Sequence, residues 1–227
     1  MKFFFLSENT AIILFEQAIN TAIFQQVTQC TKTIEVDLSE YIVDLVPAYA
    51  SIHIVFNLTK ISAVDFEAAV NKVVDNASTE VTRVTTEKTN VIPVYYGPEV
   101  ALDIELVAAF ADLSVDAVIA LHASATYDVY AIGFAPGFAY LGNVDRRIAM
   151  PRKESPRQKV VKGSVGIADQ QTAIYPADSP GGWQIVGRTP MSLIDYNDAK
   201  LTRFDTGDKV KFTAISRKDF IKMGGVL

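Results

Sequence analysis

Ten consecutive residues, Gly133 to Gly142, hold three glycines, one proline and the rings of Phe134, Phe138 and Tyr140. Glycine permits positive φ and close backbone approach, and aromatic rings need either burial or a groove to line. The run therefore reads as a structural turn or as the wall of a binding groove carrying Phe134, Pro136, Gly137, Phe138 and Tyr140. It is not a dinucleotide fingerprint, because the spacing of Gly133, Gly137 and Gly142 is wrong. Lys162-Gly163-Ser164-Val165-Gly166 likewise lacks the order of a phosphate-binding loop.

A second cluster is Pro151-Arg152-Lys153-Glu154-Ser155-Pro156-Arg157. Its prolines favour an extended loop. Its arginines read as solvated charges or as a fork for a carboxylate or phosphate. The third cluster runs from Tyr175 to Gln184 through Gly181, Gly182 and Trp183, with Gly187-Arg188-Thr189-Pro190 after it. Trp183, the sole tryptophan, reads as a core plug or a ligand platform. Of the two histidines, His53 alternates with an apolar strand face and points to solvent. His122 ends a helix, where the dipole favours an imidazolium. It reads as a satisfied structural histidine or as a proton carrier. Two histidines and the lone Cys30 make neither a metal site nor a disulfide, and Cys30 reads as a helix residue.

The elements that position these clusters fall into two groups. Phe3–Phe5 and Ala11–Phe15 flank a polar turn as a hairpin, and Glu16 to Thr31, with Ala18, Ala22, Ile23 and Val27, has helical spacing. Ile52, Ile54 and Phe56 share a strand face within a β-branched stretch broken by Pro47. Ser62-x-x-Asp65 then opens a helix through Val74, and Val81–Thr85 suggests a strand. This order predicts a small α+β domain over 1–88, with two helices on one face of an antiparallel sheet. The polar stretch Thr85–Asn90 marks the boundary. Beyond it come a strand at Val91–Tyr96, helices at Ala101–Phe110 and after Ser114, and then short β runs, Ser192–Asp195 among them. These predict a mostly-β domain over 89–227 that closes as a barrel or sandwich.

The 227 residues include 21 basic and 26 acidic side chains, a net charge of −5, which leaves no basic stripe for nucleic acid. Apolar residues make up 49% and exclude disorder as the main state. Mean hydropathy is +0.20, yet no apolar run reaches membrane-spanning length. The apolar start stops at Ser7-Glu8-Asn9, too early for a signal peptide. The expectation is a cytoplasmic chain with no membrane contact.

Ile132 to Gly142, Pro151-Arg152 to Pro156-Arg157, Gly163 to Ile167, Gln171-Thr172, Tyr175-Pro176 and Ser179 to Trp183 recur in the order and spacing of one family. So do Leu121-His122 and Gly187-Arg188-Thr189-Pro190. The chain thus resembles the B component of 5-oxoprolinase, also called allophanate hydrolase subunit 1. That family includes the sporulation kinase inhibitor KipI and a module of the urea carboxylase carboxyltransferase domain. The resemblance implies a cyclophilin-like β-barrel at residues 89–227 and a hydrolase subunit inactive alone. It implies work with a second cyclophilin-like subunit and a third subunit in ATP-dependent opening of 5-oxoproline to glutamate. ATP would be a co-substrate held mainly outside this chain, with no metal or prosthetic group. On that reading His122 moves a proton, and Gln171 and Thr172 donate to an oxyanion. Arg152, Arg157 or Arg188 clamps the carboxylate, and Phe134, Pro136, Gly137, Phe138, Tyr140, Tyr175, Gly181, Gly182 and Trp183 shape the pocket. The alternative is a KipI-like inhibitor that binds a sensor histidine kinase.

Overall fold

A computed structural model describes residues 1–16, 20–77, 89–198 and 200–227. Ala18 and the strand expected at Val81–Thr85 lie outside them. The chain divides into two compact units, Met1–Glu87 and Lys88–Leu227.

In the first unit, β1 (Lys2–Ser7), β2 (Thr10–Leu14), β3 (Ile42–Ala48) and β4 (Ser51–Phe56) form an antiparallel sheet in the order β1-β2-β4-β3. Pro47 sits in β3, an edge strand, where a missing N–H breaks no inner ladder. Helix α1 (Thr21–Asp37) starts later than its apolar spacing predicts, because Asn20 caps it by accepting from the Ile23 N–H at 2.9 Å, and it runs further, to Asp37, with Ile34 still on its buried face. Helix α2 (Ala63–Ala77) opens on Ser62, whose hydroxyl accepts from the Asp65 N–H. Ile13, Ile52, Ile54 and Phe56 pack with Val27, Cys30 and Ile34 of α1 and Phe66 and Val70 of α2. The Phe56 and Phe66 rings stack at 4.2 Å. Burial pushes the Cys30 thiol up to about 12, so it is no nucleophile. His53 is half-buried on the other sheet face, between Ile12 and Val46.

The second unit contains β5 (Thr89–Val94), α3 (Ile104–Ala111), α4 (Val115–Ser124), β6 (Thr126–Ile132) and β7 (Ala139–Gly142). Then follow β8 (Arg157–Val160), β9 (Ser164–Ala168), β10 (Gln171–Ile174), β11 (Ser179–Gly181), β12 (Gln184–Arg188), β13 (Lys209–Ala214) and α5 (Arg217–Lys222). Seven of these strands form one sheet in the order β12-β9-β10-β7-β6-β13-β5. Its pairs are antiparallel except β13–β5, which is parallel. The two end strands meet where Tyr95 and Arg188 exchange backbone hydrogen bonds of 2.9 and 2.8 Å. The sheet is thus a nearly closed mixed barrel. Its interior holds Ile92, Val94, Val129, Leu141, Val165, Ile167, Ile174, Val186, Val210 and Phe212, joined by Val107 of α3 and Val118 of α4.

The expected strand at Ser192–Asp195 is instead irregular, with a single bridge between Ile194 and Thr202. Conversely, β8 and β11 pair as a two-stranded ribbon within stretches that read as loops, and α5 follows the Ser216 cap. The prolines around β8 and β11 hide them, since both are edge strands that tolerate a missing donor. No helix among the described residues is long and apolar enough to cross a membrane.

Candidate functional site

Strand alternation sorts the predicted residues to opposite faces of the barrel wall. Leu141, Val165, Ile167, Ile174 and Val186 point inward. Tyr140, Ala168, Ala173, Tyr175 and Ile185 belong to a second cluster with Phe138, Val160 and Trp183, on the outer face. Gln171 shares the outward phase of Ala173.

The outer cluster is aromatic. The Phe138 ring meets Tyr140 at 4.9 Å, Phe134 at 5.3 Å, Tyr175 at 5.4 Å and Trp183 at 5.8 Å, all edge-on. Trp183 is 6% exposed and serves as the core plug of this layer. Phe134 is different: it is 66% exposed and has a φ of 70°. A bulky side chain in the left-handed region is strained, and an exposed ring forgoes burial. Beside it Pro136 is exposed, whereas Gly137 is buried and takes a φ of 76°. Gly181 is required for packing, because a Cβ there would lie 2.3 Å from the Tyr175 hydroxyl. Gly182 pairs with the basic segment, its carbonyl accepting from the Lys153 N–H at 2.6 Å.

That segment is anchored by Asp103, a residue outside all three of the sequence clusters. Asp103, only 2% exposed, accepts from Arg157 at 2.6 Å, Lys153 at 3.2 Å and the Ile185 N–H at 2.7 Å. Burial raises its carboxyl pKa, but the Arg157, Ile185 and Lys153 hydrogen bonds outweigh that and hold it below the usual range. Its only signal in the sequence is an acid set among Val100, Ala101, Leu102 and Ile104. Arg157 is therefore paired. Arg152 is exposed and makes no ion pair among the described residues. Burial raises the Tyr175 phenol pKa, opposed by the Trp183 backbone and by the Arg157 and Arg152 charges, so the field of both arginines reaches Tyr175.

His122 and Thr172 stand apart, inside the barrel. His122 is fully buried, with Nδ1 2.8 Å from the Tyr96 hydroxyl and Nε2 3.0 Å from Thr172 Oγ1. The Thr172 hydroxyl donates its one proton to the Gly166 carbonyl at 2.9 Å. Thr172 must then accept from Nε2–H, which leaves Nδ1 to accept from Tyr96. Burial pushes the His122 pKa down to about 3. The imidazolium expected at the helix end is thus corrected to a neutral imidazole, because desolvation of a closed interior exceeds what a helix dipole supplies. Arg188 is also separate from the aromatic layer, buried at the β5–β12 seam.

Among the described residues no group of three or more His, Cys, Asp or Glu is placed to hold a metal ion. The helix starts do not fit a nucleotide phosphate either. Asn20 and Ser114 turn their own side chains onto the first turns of α1 and α4, Ser62 does so with Asp65 at α2, and Asp103 puts a carboxylate at α3.

The sequence pattern of the carboxyltransferase domain, subdomain C and D, matches residues 1–204. The B component of 5-oxoprolinase from Bacillus subtilis is 50% identical over 129 residues, 57% of this chain and 54% of that protein. The matched stretch thus spans about half the length of that relative. PH0987 from Pyrococcus horikoshii is 41% identical, with 96% of this chain and 100% of that one covered and a TM-score of 0.58. The crystal structure of TTHA0988 superposes with a TM-score of 0.79 at 28% identity, covering 91% of this chain and 40% of that one.

Proposed function

Because the chain belongs to the carboxyltransferase domain, subdomain C and D, family, we propose that it is the B-type component of an ATP-dependent 5-oxoprolinase. With a second cyclophilin-like subunit and a third subunit, it would open 5-oxoproline to L-glutamate. Similarity to proteins named as the B component of 5-oxoprolinase supports the choice of substrate. The observation that carries the reading is the outer aromatic layer, where Phe138 gathers Phe134, Tyr140 and Trp183 and where the charge of Arg152, in no ion pair among the described residues, reaches Tyr175.

That pairing suits a small ring bearing a carboxylate. Arg152 takes the carboxylate, its guanidinium forming two parallel hydrogen bonds. Arg157, fixed by Asp103, adds a positive field beside it. The exposed Phe134 ring faces the flat lactam and excludes water on that side, backed by the buried Phe138 ring. Ring opening adds water across the C–N bond, so the carbonyl carbon becomes the second carboxylate and the nitrogen the amine of glutamate. Gln171, on the same outer face, is the donor to the oxyanion formed on the way. His122 and Thr172 act from within by bracing β10 behind Gln171. ATP belongs to the assembled complex, and no step here passes through it.

The test is reconstitution with the products of neighbouring genes and assay of 5-oxoproline-dependent ATP hydrolysis. Arg152→Gln, which spares the core, is expected to raise the KM for 5-oxoproline at least tenfold. Unchanged kinetics in that variant would remove Arg152 from the site. A complex without turnover that blocks histidine kinase autophosphorylation would replace the hydrolase reading with the inhibitor reading.

A further inference from the structure

Arg188 ends β12 at the seam of the barrel, with its neighbours outside the aromatic strip. It is only 8% exposed, yet no carboxylate pairs with it among the described residues. Nη1 donates to the Val226 carbonyl at 2.9 Å. Nε is buried and donates to nothing, and Nη2 has no hydrogen bond among the described residues. A guanidinium does not shed its proton, so a buried one is stable only when an anion or a full set of acceptors meets it. The acid whose charge reaches it is Asp178, and that carboxylate is turned to Lys159 Nζ at 2.7 Å and the Lys162 N–H at 2.8 Å.

The unsatisfied edge is the one that matters. Nε and Nη2 lie side by side and accept a two-oxygen anion in one plane. The surrounding backbone packs closely against the arginine stem and holds it in place. Gly163 has a φ of 82°, and a Cβ there would stand 2.5 Å from the Thr189 carbonyl and 3.4 Å from Arg188 Cγ. The segment 224–227 reaches the guanidinium at Nη1, through the Val226 carbonyl. Gly224 has a φ of 86° with nothing within 4 Å of an added Cβ, and Val226 is mostly exposed. The segment is tied by the Arg188–Val226 bond and by the Gly225 N–H on the Phe220 carbonyl at 2.9 Å.

We infer that Arg188 is a second anion site, distinct from the aromatic face, that takes a small carboxylate or phosphate on its Nε–Nη2 edge. Residues 224–227 are its cap and lift to admit the ion, so the Val226 carbonyl competes with the ligand for the guanidinium.

The experiment follows the Arg188 Nε–Hε resonance while inorganic phosphate, and separately acetate, is titrated into three proteins. These are the full chain, a chain ending at Met223, and Arg188→Lys. The resonance is expected to shift with at least one anion, and the anion that shifts it identifies the source. Binding is expected to be about tenfold tighter without the cap, since one charge-assisted hydrogen bond no longer competes. Arg188→Lys, read by the thermal shift the anion gives the other two, is expected to lose the response. An unmoved resonance in both the full and the shortened chain, each with a folded spectrum, overturns the site. Equal affinity with and without residues 224–227 overturns the cap. If Arg188→Lys does not fold, the shortened chain, with its arginine intact, still decides the matter.

Discussion

The hydroxyl of Tyr96, the imidazole of His122 and the hydroxyl of Thr172 form a directed chain ending on the Gly166 carbonyl. A neutral imidazole is built into it, with consequences for pH. His122 has a folded-state pKa of about 3 against an ordinary 6.5, so below 6.5 the unfolded chain takes a proton that the folded chain refuses. Stability is full above that value and falls as pH drops toward 3, by up to about 1.4 kcal/mol per pH unit. Denaturation between pH 6.5 and 5, above the carboxylate range, is expected to show this slope. His122→Gln is expected to flatten it; an identical slope in the variant would assign the proton to another group. The second residue-scale prediction concerns Phe134. Phe134→Gly relieves about 1 kcal/mol of left-handed strain, so Tm is expected to hold or rise while 5-oxoproline turnover in the assembled complex falls. A Tm lowered by several degrees would make the ring a structural prop.

Two loops depend on single residues that tie one element to another. Asp103, at the start of α3, holds Arg157 of β8 and Lys153 before it, and so fixes the β8–β11 ribbon against the helix. Asp103→Asn leaves two partly exposed cations facing a neutral amide, and is expected to cost about 2 kcal/mol of unfolding free energy. The loss should shrink as pH falls below the usual carboxylate range, because the depressed pKa of Asp103 makes its stabilisation disappear on protonation. Chemical denaturation at pH 7 and through acid pH measures both. At Gly163 the clash of an added Cβ is with backbone, which cannot swing aside, and φ is 82°. Gly163→Ala is expected to lower stability by about 2 kcal/mol or more, read from its denaturation midpoint. These ties explain what could be read in the residues. Ile52, Ile54 and Phe56 reveal a strand by alternation, and Ser114 reveals a helix start by its cap, because both signals are local. The partner of Asp103 lies far along the chain, and the face that His122 occupies depends on barrel closure. Neither is written in any short window. The aromatic run from Phe134 to Tyr140 is legible as unusual, but only the alternation of β7, β9, β10 and β12 places Phe138, Tyr175 and Trp183 in one layer and Thr172 behind it.

Each of the two units has its own apolar core, and they are assembled by different pairings. In the first, hairpins close between neighbours: β1 with β2, and β3 with β4. In the second, the strand that opens the unit finds its ladder only at the other end. Thr89 to Val94 pairs in parallel with Lys209 to Ala214, and Tyr95 with Arg188. Contacts between residues so distant are slow to form. On the ribosome, Thr89 to Val94 emerges long before its partner has been translated. It must wait as an unpaired, apolar edge while Ile92 and Val94 remain without their interior. The first unit can fold during that interval, and the barrel can close only after Lys209 to Ala214 has been made. The nascent chain is therefore most in need of chaperone protection between translation of its Tyr95 codon and that of Ala214.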